Sequence, residues 1–473
     1  MSPVLDKARL SAAILAARVA QAASRTLKRG GGTTYPGVLA RRVDPKVLAK
    51  LSRKLSQGSV AITGTNGKTT TTRMVSDILR SVGVRVANNS TGANLVTGVT
   101  ATLVSDSSLF GKPSSEMGLF EVDEASVPKV AAEADLSLLA VLNLFRDQLD
   151  RYGELAYTAK VIASAFPDLP AGGTVVLNAD DPLVASLGRG AKRPVFFGVE
   201  DPALDTGTLQ HIADSKDCPV CGTALRYKAV YFGHVGIYRC PNCSFARPEA
   251  AYTATCIRMN GPEGTSFVLT TPEGEHEAHI GLPGLYNVYN ALAAAAVAAE
   301  AGVRTESIVR SLEEFGGAFG RVERVRAGDK EVFLLLIKNP VGFNEILRTF
   351  VVSPTAPGAG ATNASHVLIA INDNHADGRD VSWLWDVDFE MLAGKDETRF
   401  SVSGIRGQDM AVRLKYAELP VDNVIPNRKE ALLSALEATP PGEMLYVLPT
   451  YTAMLEIRQT LSDLGYTHPF WED

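Results

Sequence analysis

Short apolar runs alternate with longer amphipathic segments from about residue 59 to residue 315. Helical periodicity is clearest at 155–166 and in the alanine-rich segment 287–301, which Gly302 ends. This alternation predicts an α/β fold, with a mostly parallel sheet and helices on both of its faces. The apolar runs that we interpret as strands are 59–63, 118–122, 136–142 and 173–178.

A second set of apolar runs follows a glycine-rich boundary at 316–320. Within this set, the composition of 353–365 is typical of a loop. The region 316–473 is therefore predicted to be a second α/β domain, of the Rossmann-like type. Its expected strands are 331–337, 366–372, 400–403 and 445–448.

The first 45 residues are predicted to form a helix and a loop. Residues 10–23 are apolar and rich in alanine, with Arg18 among them, which favours an amphipathic helix packed on a domain. A helix lying on a membrane surface is the alternative left open. Glycine and proline in 30–45 predict a loop, and a helix is expected over 46–57.

Composition narrows the class of protein. At 473 residues the chain is too long for one core, so two or three domains are expected. Hydrophobic residues make up 45% and charged residues 21%, and no apolar run reaches the roughly 18 residues of a membrane-spanning helix. The net charge of −5 argues against binding nucleic acid along a basic face. A cytoplasmic protein is expected.

The segment after the first strand has the residues of a phosphate-binding loop. A glycine turn there leads into a helix that opens on lysine and threonine. Such a turn directs backbone N–H groups toward a phosphate, so the chain is expected to bind ATP. Lys68 would reach the outer phosphates, and the Thr69 hydroxyl would hold Mg²⁺. The expected ATP contacts in the turn are Gly64, Thr65, Asn66, Gly67, Lys68, Thr69 and Thr70.

A carboxylate for the same Mg²⁺ is expected at the end of a neighbouring strand. Glu121 lies at the end of the strand 118–122, and open α/β sheets bind ligands at the carboxyl ends of their strands. Carboxylate oxygen is a ligand that Mg²⁺ prefers. Glu121 is the first candidate, and Asp123 or Glu124 could take its place.

Four of the five cysteines form two C-x-x-C pairs separated by 18 residues. This spacing fits a zinc ribbon with a closed, structural Cys₄ site, which we place in an insertion at 214–248. A redox-active pair of C-x-x-C motifs is the alternative. The predicted zinc ligands are Cys218, Cys221, Cys240 and Cys243, and Cys256 is expected in the core.

The run Gly-Thr-Asn-Gly-Lys-Thr-Thr at 64–70 resembles the phosphate loop of the Mur ligase family. A strict Walker A motif would need glycine where Ile62 stands. Further segments resemble family motifs in the family's order. They contain Asp147, Gln148 and Asp150; Asn178, Asp180 and Asp181; Asn287 and Asn290; and Arg321.

The resemblance implies roles for these residues. Gln148 replaces a histidine that is a metal ligand in the family. Whether the chain has a second metal site at this position is therefore left undecided. Lys160 lies where the family has a lysine that is often carbamylated, so a catalytic role and an ordinary surface position are both considered. The implied nucleotide contacts outside the loop are Asn178, Asp180, Asp181, Asn287, Asn290 and Arg321.

The resemblance also implies a reaction. Mur ligases join an amine to a carboxylate that ATP has converted to an acyl phosphate. Only about 60 residues precede the phosphate loop here, too few for the UDP-sugar domain of most members. The implied organisation is an N-terminal helix and loop (1–45), a Mur-ligase-type ATPase domain (46–315) and a C-terminal domain (316–473).

Segments at 338–345, 372–386 and 449–453 resemble a group within the family that amidates D-glutamate in the peptidoglycan stem peptide, on lipid II or a related muropeptide. The resemblance implies that ammonia comes from a glutaminase subunit of the class I glutamine amidotransferase type, GatD, and contact with the inner face of the membrane through the substrate is left open. An aspartate of this chain is expected to complete the partner's Cys–His pair. Asp380 is the first choice, with Asp377 and Asp386 as alternatives.

Two other functions stay open at this point. One is a ligase that adds a whole amino acid, as folylpolyglutamate synthases do. The other is a nucleotide-binding interaction module that acts through its zinc ribbon. The catalytic residues predicted for the amidation are Lys68, Glu121, Lys160, Asp377 and Asp380.

Overall fold

The computed structural model describes residues 3–26, 34–89, 93–146, 155–207, 215–260, 263–315, 322–352, 366–393 and 398–468. Some of the predictions fall on the other residues. Those that lie outside the described residues are the domain boundary 316–320, the loop 353–365 and the motif residues Asp147, Gln148, Asp150 and Arg321.

Among the residues described before the first strand are three helices: α1 (Pro3–Thr26), α2 (Tyr35–Val43) and α3 (Val47–Ser52). The loop predicted over 30–45 is wrong where α2 forms. Pro36 occupies the first turn of α2, where its missing N–H is not needed. Gly37 is required because a Cβ there would lie 1.8 Å from the carbonyl oxygen of Thr97.

Helix α1 packs on the domain, as the sequence favours, but its outer face is partly apolar. One face packs on the domain and buries Leu10 and Ile14. The opposite face leaves Leu5, Leu15 and Val19 exposed. Within the described ranges, no helix has both the length and the apolar character that a bilayer crossing requires.

Eleven strands follow in the described part of the N-terminal region. They are β1 (Ser59–Thr63), β2 (Val86–Asn88), β3 (Met117–Glu121), β4 (Leu136–Val141), β5 (Thr174–Asn178), β6 (Pro194–Val199), β7 (Arg226–Phe232), β8 (Val235–Arg239), β9 (Tyr252–Met259), β10 (Thr265–Thr271) and β11 (Gly274–Ile280). The four whose bounds were predicted, β1, β3, β4 and β5, begin and end within one residue of those bounds.

Nine of these strands form one sheet, in the order β11-β10-β9-β6-β5-β4-β1-β3-β2. The pairs from β9 to β2 are parallel, so the predicted α/β fold with a mostly parallel sheet is confirmed. The antiparallel pairs of β10 with β9 and β11 depart from the expected alternation of strand and helix. In β10, buried and half-buried residues alternate, a pattern typical of an antiparallel strand with one wetter face.

Helices cover both faces of this sheet and create two cores. On one face lie α4 (Lys68–Ser81) and the alanine-rich helix α9, which pack closely because the α9 side chains are small. The other face carries α1 to α3 and α5 to α7. The bounds are α4 (Lys68–Ser81), α5 (Val96–Asp106), α6 (Val127–Glu133), α7 (Leu155–Ala163), α8 (Pro182–Leu187), α9 (Leu285–Glu300) and α10 (Thr305–Glu313).

Strands β7 and β8 form a separate antiparallel hairpin. Cys218 and Cys221 precede the hairpin, and Cys240 and Cys243 follow it. We call residues 215–247 the cysteine ribbon. Its tip is the turn between Phe232 and Val235, and the cysteines lie at the opposite end of the hairpin.

The C-terminal region builds a second sheet, in the order β12-β13-β17-β14-β15-β16, in which only the β12–β13 pair is antiparallel. The expected second α/β unit therefore forms. Its strands are β12 (Val322–Ala327), β13 (Lys330–Leu335), β14 (His366–Ala370), β15 (Arg399–Ser403), β16 (Val421–Ile425) and β17 (Met444–Pro449). Its α-helices are α11 (Pro340–Ile346), α12 (Gly407–Tyr416), α13 (Arg428–Ala438) and α14 (Tyr451–Asp463).

Candidate functional site

The loop between β1 and α4 has the backbone of a phosphate cradle. Gly64 and Gly67 have φ angles of 127° and 87°, which side chains rarely tolerate. A Cβ on Gly67 would also lie 2.0 Å from Oδ1 of Asn290 on α9. The loop is fixed from the β4 side, where the Asn66 N–H donates to Oδ1 of Asn143 (2.8 Å) and Asn143 Nδ2 donates to the Asn66 carbonyl (3.0 Å).

Two side-chain pairs stand at the start of α4. The Lys68 ammonium group lies 3.0 Å from Oε1 of Glu124 and donates to the Gly64 carbonyl as well. The Thr69 hydroxyl donates to Oε2 of Glu121 at 2.9 Å. The structure thus brings together Lys68, Thr69 and Glu121, the three residues expected at the phosphates and the metal, and adds Glu124, one of the alternatives.

The Glu124 carboxyl group of the Lys68–Glu124 pair is ionised at neutral pH. Burial disfavours the carboxylate, but the Lys68 ammonium group and, further away, Lys338 outweigh burial, so the pKa of Glu124 is lowered. Both side chains are nearly buried. An incoming phosphate would therefore meet a cation already held at the mouth of the loop.

The group around Thr69 suits a hard cation. Glu121 is oriented by Asn89, which accepts from the Glu121 N–H (2.9 Å) and donates to its carbonyl (2.8 Å). A hydroxyl oxygen and a carboxylate oxygen next to a phosphate site are the donors that Mg²⁺ prefers. Thr69 and Glu121 could hold this ion, which would supply positive charge beside the phosphates.

A cleft opens beside the loop, between the domain of the large sheet and the domain of the second sheet. The N-terminal part contributes amides, among them Asn178, Asn287 and Asn290. The C-terminal part contributes Lys338 and Asn339. Asn339 Nδ2 donates to Oδ1 of Asn66 at 2.8 Å, so the phosphate loop itself contacts the C-terminal domain.

Lys338, Asn339 and Glu345 are cleft residues that the sequence-based site did not include. They belong to a segment that follows β13, and ligands of α/β sheets bind at such strand ends. That rule, which selected Glu121, could also have selected Lys338. Phe232 was missed as well, because nothing in its local sequence connects the tip of the cysteine ribbon to the cleft.

Glu345 is a buried carboxyl group in the wall of the cleft. Burial raises its pKa to about 7, and Arg348, whose Nη1 lies 3.4 Å from Oε1, only partly opposes this. Glu345 therefore exchanges a proton close to physiological pH.

The structure gives Asp180 and Asp181 a different role from the predicted nucleotide contact. Neither is exposed. The Asp180 carboxylate accepts hydrogen bonds from Arg247 Nε (2.5 Å), the Tyr289 hydroxyl (2.6 Å) and the Val199 N–H (2.7 Å). Both carboxylates are thus turned away from the cleft and bind protein groups instead.

Asp181 is the cap of a helix. It accepts from two N–H groups of the first turn of α8, at 3.0 and 3.1 Å, and from the Leu144 N–H at 2.8 Å. Asn178, just before this pair, lines the cleft but donates to the Leu142 carbonyl (3.0 Å). The Asn-x-Asp-Asp segment is therefore mainly a structural corner at the end of β5.

Lys160 lies on the exposed side of α7. This helix packs against the 3₁₀ turn Glu124–Ser126, which follows β3. The side chain is thus on an element that borders the loop of Glu124, and its carbamylation stays a prediction.

The three candidate aspartates of the C-terminal domain differ in exposure. Asp377 is buried and accepts from the Thr452 N–H (2.7 Å) and hydroxyl (2.6 Å), so it joins its loop to α14. Asp386 is exposed. Asp380 is also exposed, and hydrogen bonds from the Ser382 side chain and from the Ser382 N–H (2.8 Å) lower its pKa.

The four predicted metal ligands meet in space. The sulfur atoms of Cys218, Cys221, Cys240 and Cys243 all lie within 4.8 Å of one another. The Cys218–Cys243 and Cys221–Cys240 sulfurs are 3.6 and 3.5 Å apart. The cluster could hold a metal ion. Cys256, in contrast, is exposed at φ 51°, so its expected core position is wrong.

Two family models match the chain. The Mur ligase middle domain matches residues 62–246 and 239–298, and the MurT ligase C-terminal model matches residues 336–454. The two matches cover the phosphate loop, the cysteine ribbon and the segment from Lys338 to Thr452.

Curated relatives match nearly the full length. A protein named lipid II isoglutaminyl synthase (glutamine-hydrolyzing) subunit MurT, from Streptococcus pneumoniae, is 34% identical over 92% of this chain and 93% of its own length. The protein of the same name from Staphylococcus aureus (strain N315) is 31% identical over 95% of this chain and 97% of its own length.

Solved structures share the fold. A pseudomurein peptide ligase type C from Methanothermus fervidus superimposes with a TM-score of 0.68 at 21% identity, over 88% of this chain and 80% of that one. This similarity concerns the architecture alone.

Glu345→Gln should change how stability depends on pH. In the unfolded chain the carboxyl group titrates near 4.5, and in the folded chain at about 7. Between these values the folded protein keeps a proton that the unfolded chain releases, so this contribution is fully present below pH 4.5 and is lost as pH rises through 7. The loss amounts to about 3 kcal/mol at most.

Thermal melts of both proteins at pH 5 and pH 8, without nucleotide, measure this effect. The variant should gain melting temperature relative to the natural protein at pH 8. An equal response of the two proteins to pH would show that Glu345 does not titrate in this range.

Proposed function

Because this chain belongs to the Mur ligase family, and within it to the MurT subunits, we propose that it is the synthetase subunit of a lipid II isoglutaminyl synthase. ATP drives amidation of the α-carboxylate of D-glutamate in the peptidoglycan stem peptide. The relatives' name supports both lipid II as substrate and glutamine as nitrogen source. The reaction would take place in the cytoplasm, at the inner membrane face where the lipid-linked substrate is held.

The observation that carries the proposal is the pairing at the start of α4. Lys68 and Thr69 lie at the phosphate loop, and carboxylates from the end of β3 reach both, at 3.0 and 2.9 Å. This arrangement supports transfer of a phosphoryl group, because such transfer depends on positioning the phosphates and neutralising their charge.

The proposed reaction has two steps. A carboxylate oxygen of D-glutamate attacks the γ-phosphorus of ATP, the bond to the β-phosphate oxygen breaks, and ADP leaves. Ammonia then attacks the acyl carbon, loses a proton, and expels inorganic phosphate. Lys68 would stabilise the charge on the transferring phosphoryl group, and Mg²⁺ held by Thr69 and Glu121 would supply further charge neutralisation.

Ammonia is proposed to come from a second chain. A class I glutaminase needs a nucleophilic cysteine activated by histidine. Four of the five cysteines lie in the metal cluster, and the relatives' name describes a subunit. The proposed partner is therefore a glutaminase subunit, GatD, bound so that ammonia reaches the cleft.

Asp380 is the residue that we propose to assist this partner. Its carboxylate is exposed and ionised over the physiological range, because the hydrogen bonds of Ser382 lower its pKa. The carboxylate of Asp377 is already occupied by Thr452. An exposed anion can orient and stabilise a histidine of another chain, as the aspartate of a catalytic triad does.

Zinc is the metal that we propose for the cysteine cluster. Tetrahedral zinc with Zn–S bonds of about 2.3 Å separates its sulfur ligands by about 3.8 Å. The sulfur pairs at 3.5 and 3.6 Å are close to this value. Four thiolates leave no position for water, which supports a structural site.

The amidation itself can be assayed with the purified chain. With ATP, Mg²⁺, ammonium chloride and lipid II bearing free D-glutamate, it should release ADP and form the carboxamide, whereas glutamine alone should give no product. Glu121→Gln should slow the reaction by about 10²-fold or more, because it replaces a charged metal ligand with a weaker, neutral one. Glu116→Gln, a half-buried glutamate outside the site, serves as the control.

Two outcomes of this assay would contradict the proposal. Turnover with free glutamate as acceptor and no ammonium would indicate a ligase that adds an amino acid. Turnover with glutamine in the absence of a second protein would remove the need for a glutaminase partner.

Asp380→Asn should separate the two nitrogen sources. We expect the variant to keep its rate with ammonium and to lose most of its rate with glutamine plus the partner subunit, by about 10²-fold or more by analogy with triad aspartates. Asp386→Asn, at the other exposed candidate, should keep both rates, and Asp409→Asn, an exposed aspartate on α12, is the matched control. An unchanged glutamine-driven rate in the Asp380 variant would exclude this role.

Cys218→Ser should release the bound metal. We expect about one equivalent of zinc in the natural protein by elemental analysis, loss of most of it in the variant, and a melting temperature lower by several degrees. Cys256→Ser should change neither quantity, since Cys256 is exposed outside the cluster. Equal zinc content in both variants would argue against a four-cysteine site.

A further inference from the structure

The tip of the cysteine ribbon, opposite the four cysteines, lies at the cleft. Phe232, the last residue of β7, lines the cleft together with Asn287 and Tyr289 of α9. The cysteines lie at the other end of the same hairpin. An element that the sequence describes only as a metal ribbon thus supplies part of the wall of the proposed ATP site.

The Phe232 ring belongs to an aromatic group at this wall. Its centroid lies 5.4 Å from the ring of Tyr289, edge to face, and 6.0 Å from the ring of Phe145. Phe145 is itself joined to the phosphate loop, since its N–H donates to the Thr65 hydroxyl at 2.9 Å. Phe145 is therefore the one residue that separates Phe232 from the turn that would hold the phosphates.

The hairpin is held firmly in this position. The Tyr238 hydroxyl donates to the Ala179 carbonyl (3.0 Å), and the Gly236 N–H donates to the Asp180 carbonyl (2.9 Å). On the other strand, the Tyr231 hydroxyl donates to the Val199 carbonyl (3.1 Å). These bonds join the ribbon to the ends of β5 and β6, so the tip does not depend on the ribbon's own packing alone.

His234, in the turn, packs behind the wall. The side chain is fully buried, and neither ring nitrogen has a hydrogen-bond partner among the described residues. Its ring centroid lies 4.6 Å from that of Phe145. Its Nε2 lies 3.4 Å from Oδ2 of the buried Asp181, so the turn packs against the aspartate that caps α8.

We propose that the tip of the cysteine ribbon forms the apolar wall of the subsite for the nucleotide base, with Phe232 as the contact residue. A phenyl ring has neither the positive charge nor the N–H donors that bind a triphosphate. A flat base, in contrast, is stabilised by packing against an apolar surface. The amides of Asn287 and Asn290 lie in the same cleft and can pair with the edge of the base.

This inference rests on the proposed function, since it assumes that the cleft binds ATP. It goes further because it makes the ribbon, at its tip, a part of the nucleotide site. Phe232 would act on ATP affinity and leave the transfer step to Lys68, Thr69 and Glu121.

Phe232→Ala tests the inference in the full-length chain. We expect ATP to bind about tenfold more weakly, the size of one base–aromatic contact. Inorganic tripolyphosphate, which has no base, should bind within about twofold of the natural protein. In the amidation assay, the KM for ATP should rise about tenfold while kcat changes by less than about twofold.

Phe245→Ala is the matched control. Phe245 is a buried phenylalanine of the same ribbon that stacks on Tyr238 at 5.7 Å and does not line the cleft. Its loss should lower the melting temperature but leave ATP affinity within about twofold. Should Phe232→Ala fail to fold, Phe232→Leu keeps most of the apolar volume and should weaken ATP binding about threefold.

The outcomes separate the two claims. If the natural protein binds ATP and Phe232→Ala lowers the affinity but no carboxamide forms, the proposed function fails and the inference stands. If amidation proceeds and Phe232→Ala binds ATP normally, or Phe245→Ala weakens binding equally, the inference is wrong. An equal loss of tripolyphosphate binding would also overturn it.

Discussion

The buried carboxylate of Asp180 is the interaction on which the organisation of the N-terminal domain depends. It joins Arg247 at the exit of the cysteine ribbon, Tyr289 of α9 and the backbone of Val199 in β6. Removing one partner of such a buried pair typically costs about 3–5 kcal/mol, because the remaining charge is left without compensation. Three elements that are distant in sequence therefore keep a fixed relation to one another, and two of them border the cleft.

The cleft depends in addition on the approach of two domains. The Asn339–Asn66 hydrogen bond and the influence of Lys338 on the pKa of Glu124 both cross from the C-terminal domain to the phosphate loop. The pKa of Glu124, the acidic partner of Lys68, thus depends in part on Lys338 of the other domain. Charge neutralisation at the phosphates therefore depends on residues of both domains.

The elements that were predicted correctly are those that depend mainly on residues close together in sequence. Strands of the parallel sheet and the glycine turn were found from apolar runs and from Gly64 and Gly67. Helix α2 was missed, because glycine and proline are compatible with a helix when Pro36 is in its first turn. The role of Asp180 and the place of Phe232 in the cleft depend on contacts between distant segments, which periodicity and motif spacing do not encode.

The order of strands in the large sheet also bears on how copies of this protein behave in a concentrated solution. A sheet edge can recruit the edge of a neighbouring molecule. One edge here is β2, with only three residues, and the other is β11, which carries Glu275, His276 and Glu277. Short length at one margin and charge at the other both discourage intermolecular strand pairing, so the sheet is protected against aggregation without a covering partner.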